Sequence, residues 1–275
     1  RRVDEGAFDH GAQYFTVRDP RFGRYVRSWC EQGLAGRWPQ RVETWRLAPS
    51  QGGDDWIPSE PDRASGRPRL VGVPGMNAVV RHLLDGAEQS GARVHQQQQV
   101  VGLVRNGAVW KLDVAIPNAE ARSDRVTELS RPDLEFDQVL ITVPAPQAVA
   151  LLDGVPDTTS LVQRIEAIRY APCHAVMLRV AVGVDPAIQA VRVEGGPFSF
   201  VACDDSKPGR RPGRGRRVLL HASPDWSREH FEANRDAVAS DLVTAVRPIL
   251  ASMFLAVPGM SRAPMASQRA VSIAS

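Results

Sequence analysis

The apolar positions of this chain change their period several times, and each change marks an element. Asp19 and Pro20 form an N-cap and first-turn pair, because a short acceptor side chain satisfies an orphan N–H and proline fits the first helical position. Phe22, Tyr25, Val26, Trp29 and Cys30 then recur at helical spacing until Gly33 stops the run. A second stripe, Met76, Val79, Val80, Leu83, Leu84 and Ala87, follows "GVPGMN" and closes at Ser90 and Gly91. Between the two helices, residues 47–69 are rich in Gly, Pro, Ser and Asp and read as a loop around a weak strand near Trp56. Short strands are expected near 92–95, 99–105 and 108–114, followed by a polar, exposed connection over 117–133.

"FDQVLITVP" (136–144) is a nearly continuous apolar run, which predicts a strand buried on both faces, as in a parallel sheet. A short helix over 146–152 follows it. Strands near 173–182, 197–203 and 217–222 precede a long helix from about 229 to 247, which Pro248 kinks or ends. Residues 251–275 carry small side chains without periodicity and read as a disordered tail.

Composition narrows the class. With 275 residues, 43% apolar and 24% charged, the chain has the make-up of an ordinary globular protein of one large or two ordinary domains. No apolar run approaches the roughly 20 residues of a membrane helix, and no secretory h-region opens the chain. Cys30, Cys173 and Cys203 are scattered and form no CxxC pair, which speaks for a reducing compartment and against a zinc site. These features lead to the expectation of a cytoplasmic protein without a membrane partner. The net charge of +3 is too small for a nucleic-acid signature. The one strongly basic run, "KPGRRPGRGRR" (207–217), lacks interleaved aromatics and reads as an arginine-rich hairpin loop. No histidine pair has metal-ligand spacing. His221, Ser223 and Asp225 hold the letters of a hydrolase triad but lie too close in sequence to form one.

One stretch carries more chemistry. "AFDHGAQYFTVRDPRF" (7–22) puts His10, Gly11, Gln13, Tyr14 and Phe15 side by side, and such small, polar and aromatic residues suit a backbone that approaches a flat ligand. Taken alone, the same run reads as a strand with two core aromatics.

"FDHGAQYFTVRDPRF", "GVPGMNAVVRHL", "FDQVLITVPAPQAVALL", "YAPCHAVML" and "SKPGR…VLLHASPDWS" occur in the order and rough spacing of one family. The chain resembles the bacterial renalase-like branch of the FAD-dependent amine oxidase superfamily, from Arg1 to about residue 250. The resemblance implies non-covalent FAD and hydride transfer to the flavin from a small-molecule substrate. That substrate would be a reduced nicotinamide dinucleotide isomer or an amine, with oxygen as acceptor. It implies that Gly11 and Ala12 let backbone approach the flavin, and that Gln13, Tyr14 and Phe15 line the ring or the space beside it. Arg2 matches the end of a basic segment that reaches toward the FAD phosphates, and reads equally as a solvated arginine. Val100 matches an adenine-holding backbone position, or is a plain strand valine. Pro144 ends a strand at the edge where open α/β sheets bind ligands, or only terminates it. No residue is assigned a catalytic role. No GxGxxG occurs in the chain, and the family's C-terminal flavin motif is missing from the Ser/Ala-rich tail.

The implied fold is α/β of mixed α+β type: an incomplete FAD-binding Rossmann-like domain (1–18 and 67–155) and a substrate domain with a mixed or antiparallel sheet and helices (19–66 and 156–250). The alternative is a non-catalytic remnant or binding module that holds no flavin.

Overall fold

A computed structural model describes residues 2–3, 6–40, 42–50, 53–59, 66–116, 128–130, 135–181, 185–211, 213, 215–255 and 269–274. In chain order the first elements are β1 (Arg2–Val3), β2 (Gly6–Ala7), α1 (Pro20–Glu31), β3 (Ala35–Arg37), β4 (Val42–Ser50), β5 (Gly53–Pro58), β6 (Leu70–Gly72) and α2 (Asn77–Gln89). The middle of the chain holds β7 (Gln99–Asn106), β8 (Val109–Ile116), β9 (Glu128–Ser130), α3 (Ala145–Leu152) and α4 (Thr159–Glu166). The last are β10 (Ala175–Val180), β11 (Ala190–Glu194), β12 (Phe198–Cys203), β13 (Arg216–Ala222), α5 (Pro224–Glu229), α6 (Arg235–Leu255) and β14 (Arg269–Ala274). The fold is mixed α/β, with mixed and antiparallel sheets and flanking helices.

Two compact units emerge, residues 1–86 with 171–275, and residues 87–170. The first is built on a seven-stranded sheet in the order β14-β10-β13-β12-β11-β4-β5. It is antiparallel except where β11 runs parallel to β4. Period-two alternation makes it a two-faced core. Val176, Leu178 and Val180 of β10 join Val218, Leu220 and Ala222 of β13 on one face, beneath Val238, Leu242, Val246, Ile249 and Leu250 of α6. Ala175, Met177 and Leu219 point the other way and meet Phe8. Ala190 and Ala202 on that side meet Trp38 and Val71.

Burial on this sheet carries α6 through Pro248 to Leu255, past the expected end near 247, because Ile249, Leu250, Met253 and Phe254 all pack into the core. By length and composition Arg235–Phe254 is apolar enough to span a bilayer, against the expectation that no apolar run comes near that length. Nor do 251–255 and 269–274 behave as the expected tail, since the first complete α6 and the second pair antiparallel with β10. Residues 256–268 lie outside the described residues.

The expected start of α1 holds. The Asp19 carboxylate accepts from Arg21 N at 2.7 Å, and Gly33 at φ +72° ends the turn beyond the helix. Val26 and Trp29 from this helix bury against Ala35, Leu70 and Val79. In α2, only Val79 of the apolar stripe is buried, while Val80, Leu83 and Leu84 are exposed.

The second unit is an antiparallel meander, β7-β8-β9, covered by α3 and α4 around Leu103, Leu152 and Val155. No strand forms at 92–95. Apart from β9, the connection expected over 117–133 lies outside the described residues. The run 136–144 is corrected more sharply. Phe136 makes a single bridge to Trp110, Val139 and Ile141 pack into the core, and Leu140 is 89% exposed. It is therefore covered on one side only, with no strand beside 137–143 among the described residues.

The units do not follow the expected division either. Residues 1–18 and 67–86 belong with 19–66 and the second-half sheet, not with 87–155. The physical reason is a buried ion cluster and the Phe8 contact, which fasten the N-terminal segment onto that sheet.

Candidate functional site

The "DHGAQYF" stretch turns over the sheet face opposite α6. Phe8, 2% exposed, anchors it under Met177 and Leu219. Asp9 follows, and its carboxylate has three partners. Oδ1 accepts from Met76 N at 3.1 Å, while Oδ2 pairs with Lys207 Nζ at 3.2 Å and Arg210 Nη2 at 2.6 Å. Lys207 and Asp204 have fully buried side chains and are joined at 2.8 Å, and Arg210 also pairs with Asp204. Two cations thus face two carboxylates, which is the condition under which buried charge is tolerated. Burial draws Lys207 below the ordinary lysine range, while the Asp9 carboxylate pulls it back up.

Gln13 connects this cluster to the turn. Its Oε1 accepts from Lys207 Nζ at 3.1 Å, and its Nε2 donates to Gly11 O at 2.9 Å and to Asp9 O. The amide therefore points inward and braces the Gly11–Ala12 backbone, which is left exposed.

That backbone edge lines a cleft of about 800 Å³, with Pro74–Asn77 at the head of α2 forming another wall. Arg81, Arg210, Arg211 and Arg217 also line it. Arg210 ties two walls together, with Nη1 donating to Ala7 O at 2.8 Å and Nε to Pro74 O at 3.0 Å. A Cβ placed on Gly11 would meet nothing within 4 Å, so this edge opens onto free space. On Gly75, by contrast, a Cβ would come within 3.3 Å of Arg210.

The other sequence-predicted residues fall in different places. Tyr14 is half-buried and packs with Met76 on the Trp38–Val71 cluster, its ring 6.2 Å from that of Phe200. Phe15 is a core aromatic. Its backbone bridges to Leu70, and its ring packs edge-on to Phe22 and against the Val26–Trp29 cluster. Arg2 pairs with Ala7 in the β1–β2 ribbon. Val100 and Pro144 belong to the other unit, the first packed against the Leu103 cluster and the second exposed at the start of α3. The structure places Gly11 and Ala12 on the cleft wall and Gln13 in the buried cluster that braces them, while Tyr14 and Phe15 are not among the cleft's lining residues.

Asp9, Asp204, Lys207 and Arg210 went unread in the sequence. The only local signal is the basic run 207–217, which reads as an arginine-rich hairpin loop. A lysine and an arginine flanking "PG" were its visible part, because that tight turn returns both side chains to the protein.

Residues 43–261 match the family described as flavin containing amine oxidoreductase, and the chain belongs to it. Among solved structures, a double mutant of putrescine oxidase is similar over 93% of this chain and 74% of its own, at 11% identity and a TM-score of 0.59. Wild-type putrescine oxidase bound to putrescine is similar over 92% and 72%, at 10% identity and a TM-score of 0.58. A protein from Exiguobacterium sp. 255-15 assigned as a protoporphyrinogen oxidase matches 77% of this chain at 14% identity and a TM-score of 0.47. This chain spans 40% of that protein's length. At these identities the likeness is one of fold.

The cleft residues fit a flavin on their own geometry. An open glycine edge admits a planar ring, the volume lies in the range of small-ligand sites, and guanidiniums complement anionic oxygens.

Proposed function

We propose that this protein is a renalase-like, FAD-dependent oxidoreductase that oxidises a small reduced substrate, a dihydronicotinamide dinucleotide isomer or an amine, with oxygen as the final acceptor. Family membership supports flavin-dependent oxidoreduction. The observation that carries the site is the cleft where the exposed Gly11–Ala12 backbone faces the head of α2 among four arginines. When bound there, a flavin supplies the acceptor for the substrate's hydride, a transfer that needs no strong base in the protein.

The chain's own residues then have distinct tasks. Gly11 and Ala12 let the backbone lie close to the ring. Gln13, held by Lys207, keeps the Gly11 carbonyl oriented. Tyr14 packs on the Trp38–Val71 cluster, as does Met76 of the cleft wall. Arg81 and Arg211 offer positive charge to the flavin's anionic oxygens.

The test is to incubate the purified chain with FAD, remove unbound flavin, and record the flavin absorption bands. Bound flavin that bleaches anaerobically with a dihydronicotinamide or an amine, and recovers in air, is the expected result. A colourless protein after this treatment would overturn the reading in favour of a flavin-free binding module.

A further inference from the structure

The glycine turn at the cleft has a second tether, which comes from the sheet and not from the ion cluster. Side chains alternate along β13, so His221 shares a face with Leu219, which meets Phe8. It stands in register with Ala175 of β10 and Phe200 of β12, and the Phe200 ring lies 6.5 Å from its own. From there the half-buried imidazole reaches the turn, and its Nε2 donates to His10 O at 3.0 Å. A carbonyl oxygen can only accept, so Nε2 carries the hydrogen. The next carbonyl, Gly11 O, accepts from the Gln13 amide at 2.9 Å. Two consecutive peptide groups are thus pinned by their oxygens. Both are trans, so Gly11 N–H points away from His221 and Ala12 N–H away from the Gln13 amide. Neither N–H has a partner among the described residues, and both residues are exposed on the cleft wall.

From this geometry we infer that His221 is a positioning residue of the cleft: by holding His10 O it presents the Gly11 and Ala12 N–H groups as an ordered donor pair to an acceptor atom of the bound ring. The inference rests on the flavin reading above and adds to it a residue that acts through the turn. Glycine has no Cβ to restrict its dihedrals, so a turn centred on Gly11 keeps its donors aimed only if something outside it fixes the peptide planes. Donors that are already aimed lose little freedom on binding, and that saving appears as affinity. The tether on His10 O comes from β13, whereas Gln13 is held by Lys207 beyond β12. Removing the first therefore leaves the buried ion cluster whole.

The test compares the whole chain with His221→Phe, which keeps a ring beside Phe200 but has no donor, and His221→Gln, which restores an N–H at the Nε2 position. In the flavin-free chains, nitrogen-15 relaxation reads the order of the Gly11 and Ala12 amides. Order parameters of about 0.85 are expected in the parent, under about 0.6 in His221→Phe, and close to the parent again in His221→Gln. Titration with FAD should show binding about tenfold weaker in His221→Phe and restored in His221→Gln, with melting temperatures within about 2 °C of the parent. A turn that stays ordered in His221→Phe, FAD binding indifferent to that change, or a glutamine that restores neither would overturn the inference. If the parent binds FAD and any of those results is found, the oxidoreductase reading stands while this inference falls. If no chain binds FAD but the order of the turn follows the donor at 221, the tether is supported and the oxidoreductase reading is removed.

Discussion

Replacing Lys207 with methionine removes the cation that joins Asp9, Asp204 and Gln13, while keeping most of the side chain's volume. The lysine side chain is fully buried, as is that of Asp204, and Asp9 is 12% exposed. The cluster of two cations and two carboxylates then carries one uncompensated negative charge. Breaking a buried pair this way costs about 3–5 kcal/mol. Arg210 still contacts both carboxylates, so the lower end of that range, about 3 kcal/mol, is expected. The contact between the ammonium and the Trp38 ring, at 4.9 Å, is lost as well. At about 2–4 °C per kcal/mol for a chain of this size, the melting temperature should fall by about 6–12 °C. Scanning calorimetry reads this directly. Adding Asp204→Asn to the same chain should recover about 1 kcal/mol or more, because the orphaned charge is then gone. A drop under about 2 °C for the single variant, or a double variant less stable than the single, would refute the argument that the cluster's charge balance holds the N-terminal segment in place.

Further outcomes follow from the same geometry. Gly72→Ala should cost about 1–3 kcal/mol by urea unfolding, because its Cβ would collide with the Gly75 carbonyl oxygen and sit 3.0 Å from Met76 Cα. Gly11→Ala, whose Cβ meets open space, should change stability by less than about 0.5 kcal/mol yet weaken flavin retention; unchanged retention would remove Gly11 from the site. Burial holds His221 below its ordinary 6.5, against the opposing pull of its hydrogen bond to His10 O. The unfolded chain therefore takes up the proton first, so this residue's contribution to stability is full above 6.5 and is lost as pH falls from there toward the folded value. Urea midpoints measured from neutral pH down to about 5 should show a shallower decline in His221→Gln than in the parent. Burial and the Asp205 carboxylate push the Cys203 thiol up, so iodoacetamide should label exposed Cys30 in the native protein and reach Cys203 only after unfolding. Mass spectrometry of the alkylated peptides checks this.

What the sequence by itself determined was whatever local chemistry and short periods record. Asp19, Pro20 and Gly33 bound a helix because caps act within one turn. The apolar runs at 173–182, 197–203 and 217–222 became β10, β12 and β13, and the ordered motifs pointed to the flavin family that residues 43–261 match. Tertiary structure decided which apolar faces are covered. The same composition that buries β10 on two sides leaves Leu140 in solvent, because a run of apolar letters does not say which strands lie beside it. It also decided the role of Gln13. As a sequence letter it reads as an amide for a ligand, but a lysine 194 residues away turns it inward to brace the glycine turn. The ion cluster on Asp9 shows the same rule, since its partners lie far along the chain and only the folded sheet brings them within hydrogen-bond reach.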